Sequence, residues 1–426
     1  MSPAPVAPAR NTSNVMAGLP EAGDGMENSS SIHQVPGIRL SAIEANIRYE
    51  NRLDLVLVEL AEGSTVAGVY TQNAFCAAPV QLARQHLADA SARYFLINTG
   101  NANAGTGPEG LAAARHCCQS LAELAGAGVE QVLPFSTGVI GEQLPVERIT
   151  AGLPLSLESL SGDGWEDAAL GIMTTDTRPK IASRRVQLGD DTITITGMAK
   201  GAGMIKPNMA TMLAYVFTDL QAGDKPLQEL LASAVEQSFN RITVDGDTST
   251  NDCCMLVATG ASDCRYEALA QADQEYLQRE LLDVFQQLAV GLIKDAEGAS
   301  KFVTIVVEEG GNEEECLRVA YTIAESPLVK TALFAADPNW GRILAAIGRA
   351  GLNNLDIDRV VIFLGEQLIV LNGAVANQYR EEQGQAEMDK DEILIRIRLG
   401  RGDCSETVWT SDLSHDYVRI NADYRT

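Results

Sequence analysis

Short apolar runs of strand length recur along the whole chain, each set off by a glycine-rich loop or a helical pattern, and this narrows the fold more than any other feature. Leu53–Leu60 (LDLVLVEL) and Thr65–Tyr70 read as strands joined by the turn Glu62-Gly63-Ser64. Ala77–Ala90 reads as a helix, Tyr94–Ile97 as a strand, Asn98–Gly107 (NTGNANAGTG) as a polar loop and Glu109–Ala125 as a second helix. Gln131–Phe135 is strand-like and runs into the loop Ser136–Gly141 (STGVIG), and Thr192–Thr196 alternates as a half-buried strand does. In the second half Leu227–Phe239 and Tyr266–Lys294 carry helical spacing. Cys253–Ala258, Phe302–Glu308, Val360–Leu364 and Ile393–Leu399 are strand-like. Such interleaving predicts an α/β fold of layered mixed sheets flanked by helices. Asn377–Asp391, polar and charged, reads as an exposed loop.

The net charge of −25 excludes nucleic acid and anionic membrane surfaces as expected partners, because both call for a basic face. No apolar run approaches the roughly 20 residues of a membrane-spanning helix. Residues 1–35 are rich in Pro, Ala, Gly, Ser and Asn and lack the basic start and apolar middle of a secretion signal. They read as a disordered tail, and the expected compartment is the cytoplasm. The eight cysteines form no C-x-x-C, and the four histidines form no H-E-x-x-H. Reduced thiols and no metal site are expected.

The stretch that carries chemistry is Met198–Asp219, MAKGAGMIKPNMATMLAYVFTD. Glycines at 197, 201 and 203 make the backbone permissive, Pro207 sets a turn, and a strand-like run begins at Met212. Thr211 stands at the junction. Its hydroxyl could attack the Ala210 carbonyl in an N-to-O acyl shift, and hydrolysis would leave Thr211 as a new N-terminus. A free α-amino group has a pKa near ~7.7–8.0, so it can deprotonate the hydroxyl of its own residue. Nucleophile and base then come from one residue, without a histidine. On local features alone, Thr211 as an ordinary strand residue is the favoured reading.

A resemblance to a known family alters that balance. AGVYTQNAFCAAPV (67–80), NTGNANAGTG, STGVIGE (136–142), IMTTDTRPK (172–180) and KGAGMIKPNMATML (200–213) occur in order. FNRITVDGDTSTND (239–252), DAEGASKF (295–302), ADPNWGRI (336–343) and the terminal INADYRT follow. From about Pro36 to Thr426 the chain resembles the ornithine acetyltransferase family, also called glutamate N-acetyltransferase, of arginine biosynthesis. Departures are few, with Ala296 where glycine is expected and Gln72 where threonine is common.

The resemblance implies self-cleavage between Ala210 and Thr211 into an α chain, 36–210 behind the tail, and a β chain, 211–426. It implies ping-pong transfer of acetyl from N2-acetyl-L-ornithine to L-glutamate through an acetyl-Thr211 ester. By the same resemblance Thr137 and Gly138 form the oxyanion hole, while Thr175, Lys200, Thr211, Glu297, Asn421 and Thr426 bind substrate. Thr174 is the close alternative to Thr175. Lys206 reads as a surface charge, and Asp245, Asp247, Asn251 and Asp252 as structural support. Tyr417, Val418, Ile420 and Tyr424 are expected to anchor the C-terminal segment. No cofactor is implied, acetyl-CoA stands open as a second donor, and the halves are expected to pair as α2β2. Two other readings remain. One is a self-processing N-terminal-threonine amidohydrolase or aminopeptidase, and the other is a catalytically inert binding protein.

Overall fold

The structure, a computed structural model, describes residues 31–206 and 212–423. Ile32 packs against the core and Val35 is fully buried, while Ser183 Oγ accepts a hydrogen bond from His33 N. The expected tail of residues 1–35 is therefore too long, because residues 32–35 are held by the sheet beneath them.

Strands β1 (Ile38–Ile43), β2 (Leu55–Leu60), β4 (Tyr94–Asn101) and β5 (Val132–Val139) form a four-stranded sheet in that order. Only β4 and β5 run parallel. A five-stranded sheet has the order β3 (Thr65–Tyr70), β10 (Cys253–Ala258), β8 (Leu213–Thr218), β7 (Asp191–Lys200), β6 (Lys180–Leu188). The two sheets pack face to face. Strand β8 shows why, since it is apolar on both faces and successive side chains of a strand point to opposite sides. Leu213, Tyr215 and Phe217 enter the core shared with Phe95 and Phe135 of the first sheet, where the rings meet edge to face. Ala214 and Val216 face helices α5 (Asp224–Glu236) and α6 (Gln271–Lys294).

The far face of the first sheet is covered by α1 (Ala78–Asp89), α2 (Gly107–Ala125) and α3 (Val146–Glu158). A short α4 (Trp165–Gly171) buries Trp165 between the sheets. The result is four layers, helix on sheet on sheet on helix. A seven-stranded sheet follows, in the order β14 (Ala374–Val375), β13 (Gln367–Leu371), β12 (Val361–Leu364), β15 (Glu392–Arg398), β11 (Phe302–Gly310), β16 (Cys404–Ser411), β9 (Ile242–Thr243). Helices α7 (Glu313–Ala324), α8 (Pro327–Phe334) and α9 (Trp340–Gly348) share its core. The α/β layering matches the fold expected from sequence.

Three local expectations fail. Asn98–Asn101 and Ser136–Val139 continue β4 and β5 rather than forming loops. Ser136 Oγ donates to Asn98 Oδ1 at 2.5 Å across the pair, and Thr99 Oγ1 and Asn101 Nδ2 donate to backbone carbonyls beyond it, so burial of these groups costs little. The stretch 377–391 holds helix α10 (Glu381–Met388), which buries Met388 and seats Gly384 under Tyr379. The C-terminal segment forms α11 (His415–Ala422), whose Val418 faces solvent. Of the expected apolar anchors Tyr417 does pack against the core, polar contacts hold the helix beside it, and Tyr424 lies outside the described residues.

Candidate active site

Strands β7 and β8 are antiparallel neighbours with Lys200 paired to Leu213, so the chain between them leaves and re-enters the sheet at one edge. The exit is fixed by carboxylates. Gly201 N donates to Asp176 Oδ1 at 2.7 Å, and Met204 N and Ile205 N donate to the two oxygens of Asp245 at 2.6 and 3.0 Å. Lys206 pairs with Glu325 at 2.9 Å, so it is an anchor of this exit and not a loose surface charge. The expected cleavage pair Ala210 and Thr211, and the expected substrate contact Thr426, lie outside the described residues.

At the ends of the parallel pair β4 and β5 the register slips beside Gly100 and Asn101. Gly138 has φ of +132°, and a Cβ there would sit 2.3 Å from the Gly100 carbonyl carbon. Only glycine permits both the dihedral and the approach. Thr137 is buried next to it. Asn251 Nδ2 donates to Ser136 O at 2.9 Å and to Ala102 O at 2.6 Å, tying this strand end to the segment before β10. Cys253 N in turn donates to Met212 O at 3.0 Å.

Thr137, Gly138, Thr174, Thr175, Lys200, Glu297 and Asn421 all line one cavity of about 370 Å³, together with Met212 and Asp252. Lys200 Nζ lies 3.4 Å from Thr174 Oγ1. Burial pushes the Lys200 ammonium below the usual lysine range, against the pull of Asp176, Asp252 and Glu297. Asn421 Nδ2 donates to Glu297 Oε2 at 2.7 Å, and Tyr417 Oη donates to Asp245 Oδ2 at 3.1 Å. Helix α11 thereby docks against the cavity, and its Tyr417 N would lie 2.6 Å from a Cβ at Gly298. Among the described residues, no group of His, Cys, Asp and Glu could hold a metal ion.

The model of the ArgJ family matches residues 39–426. The chain belongs to the ArgJ family. It is 56% identical over 403 residues to the arginine biosynthesis bifunctional protein ArgJ of Pseudomonas syringae pv. tomato, covering 94% of this chain and 99% of that relative. It is also 56% identical, over 405 residues, to the protein of the same name from Pseudomonas fluorescens, covering 94% and 99%. A crystal structure of arginine biosynthesis bifunctional protein argJ from Bacillus halodurans aligns with 49% of this chain and 97% of that chain, at 35% identity and a TM-score of 0.46. No helix of the described residues is long and apolar enough to cross a membrane.

Sequence reasoning missed what holds this ArgJ-family cavity in shape. Lys180, with 4% of its side chain exposed, pairs with both Asp176 and Asp295. Asp176 Oδ2 accepts Thr174 N at 3.0 Å, and Asp295 Oδ2 accepts Thr177 N at 3.0 Å. Burial alone would raise the Asp176 carboxyl, but Lys180, Lys200 and the Thr174 N–H hold it below the usual range. Arg52 Nη2 donates to Thr174 O at 3.0 Å. The signal was in the stretch IMTTDTRPK, where a lysine four residues after an aspartate stands at a strand start. Its second partner, Asp295, is too distant in sequence to be inferred. Asp252, expected only to support the structure, lines the cavity itself.

Proposed function

We propose that this protein cuts itself between Ala210 and Thr211 and then transfers acetyl from N2-acetyl-L-ornithine to L-glutamate through an ester on Thr211. The observation that carries this reading is the convergence of Thr137, Gly138, Thr175, Lys200, Glu297 and Asn421 on one cavity that also reaches Met212, the residue bonded to Thr211. The family's curated relatives are named arginine biosynthesis bifunctional proteins, which fits this chemistry.

In the first half-reaction the Thr211 hydroxyl attacks the acetamide carbonyl while its own amino group takes the proton. The oxyanion is met by the Thr137 side chain and a backbone N–H at Gly138, donors fixed in advance by the strand pair. Lys200 faces a substrate carboxylate and Glu297 a substrate ammonium, with Thr175, Asn421 and Thr426 completing the contacts. Ornithine departs, glutamate enters, and the same groups run the step in reverse onto the glutamate amine. The chemistry needs no metal or resident cofactor, and an assay of acetyl-CoA with glutamate decides whether it is a second donor. The α chain, 36–210, and the β chain, 211–426, stay together and pair as α2β2 in the cytoplasm.

The test is direct. Intact-mass measurement of purified protein should find fragments 1–210 and 211–426, and acetylornithine with glutamate should yield ornithine and N-acetylglutamate. Thr211→Ala should stay a single chain and inactive. A wild-type protein that remains uncut yet turns over sinks the mechanism.

A further inference from the structure

We propose that Asp252 is the general acid of this cavity, giving from its Oδ2 the proton that the departing amine takes up. The inference rests on the reading of Thr211 as nucleophile. Asp252 lines the cavity but is only 3% exposed, and among the described residues its Oδ2 has no hydrogen-bond partner. A buried polar atom left unpaired normally costs stability, so its retention here calls for a use.

Its position suggests that use. The residue before it, Asn251, bonds the strand of Thr137 and Gly138 through Ser136 O, and the residue after it, Cys253, bonds Met212 O. Asp252 is thus suspended between the oxyanion strand and the residue next to the nucleophile. Burial drives its carboxyl well above the usual range, with Ser249 and Lys200 pulling the other way. A carboxyl shifted in this direction favours its protonated form, which can donate a proton. The charged or titratable groups that act on it are Lys200 and Cys253; Glu297 lines the same cavity, and Tyr215 and Tyr70 lie beside Cys253.

The proton count closes. The Thr211 hydroxyl forms the new C–O bond and its proton goes to the Thr211 amine. The C–N bond breaks with its electron pair on nitrogen, which takes the proton from Asp252. The Thr211 ammonium then returns its proton to the Asp252 carboxylate, leaving acetyl-Thr211, free amine and a neutral acid.

An amine needs this help, whereas a nitrophenolate leaves without a proton, so the two donors separate a general acid from a structural residue. Asp252→Asn should lower kcat with acetylornithine on the order of 10²–10⁴-fold with little change in KM. The same variant, measured per cleaved chain, should still be acetylated by p-nitrophenyl acetate at close to the wild-type rate. Wild-type turnover should fall as pH rises and the acid is lost, and the variant should lack that limb. If the Asn variant stays uncut, Asp252→Glu, which keeps an acid, is compared on the same two donors and should again lose more with acetylornithine. Equal losses with both donors, or an unchanged pH profile, overturn the proposal. A wild-type enzyme inert toward acetylornithine would instead refute the proposed function.

Discussion

Replacing Lys180 with methionine keeps an unbranched side chain one atom shorter and removes its charge. Lys180, Asp176 and Asp295 have side chains no more than 4% exposed, and the one ammonium serves both carboxylates. Removing one partner of a buried pair costs about 3–5 kcal/mol, because the remaining charge is left without compensation. Here two carboxylates lose their cation together, so the loss should fall toward the upper end. The pH dependence follows from Asp176, whose carboxyl is held below the usual range chiefly by Lys180 against the opposing effect of burial. Its ion pair contributes fully above the unfolded value near ~3.9 and is lost as pH falls through the lower folded value. Wild type and variant should therefore differ most at pH 7 and converge as pH drops below about 4, where the unfolded carboxyls take up protons. Urea unfolding followed by tryptophan fluorescence, to which buried Trp165 and Trp409 contribute, measures the difference. KM for acetylornithine should rise as well, since Thr174 N, Gly201 N and Thr177 N lose fixed acceptors. A loss under about 1 kcal/mol at pH 7, or a gap that stays constant into the acid range, would refute the assignment of this lysine as the charge holding the cavity together.

Thr137→Ala should reduce kcat on the order of 10²–10³-fold with little change in KM, as expected for one oxyanion donor; initial rates with acetylornithine decide it. Gly138→Ala should abolish transfer at normal expression, because its Cβ would meet the Gly100 carbonyl carbon at 2.3 Å; an active Ala variant would mean that the strand ends do not shape the site. Deleting residues 421–426 removes the Asn421 bond to Glu297, so transfer should fall sharply while self-cleavage continues; normal transfer by the shortened chain would assign that segment no role.

Much of the fold could be read in advance because its core strands are apolar on both faces. The run at β8 and the run Cys253–Ala258 are buried along their whole length. Strand β6 could not be read this way, since Arg184 and Arg185 interrupt its pattern while its pairing with β7 carries the backbone through. The polar ends of β4 and β5 looked like loops because only the folded pair reveals that Asn98 and Ser136 satisfy one another. The cavity residues near the glycine-rich stretch were visible as motifs, and Glu297 and Asn421 through resemblance. Asp252 was visible as a residue but not as a cavity wall. Its exposure to the cavity arises where β10 is laid parallel to β8, a pairing that no local pattern encodes.

The five-stranded sheet bears on what a cut at Ala210-Thr211 would leave behind. Strands β3, β6 and β7 would belong to one fragment and β8 and β10 to the other, in the order β3-β10-β8-β7-β6. Each strand of the second piece is hydrogen-bonded to one from the first, with β8 on β7 and β10 on β3. If the proposed cut occurs, that peptide bond would act as an assembly jig, needed while the sheet is built and dispensable afterwards. Folding would then have to come before cutting, because the intact chain finds these pairings as a first-order process. Once cut and unfolded, the two pieces must meet by collision, so recovery becomes second order and fails on dilution. The enzyme's lifetime then rests on never unfolding, more than on being able to refold.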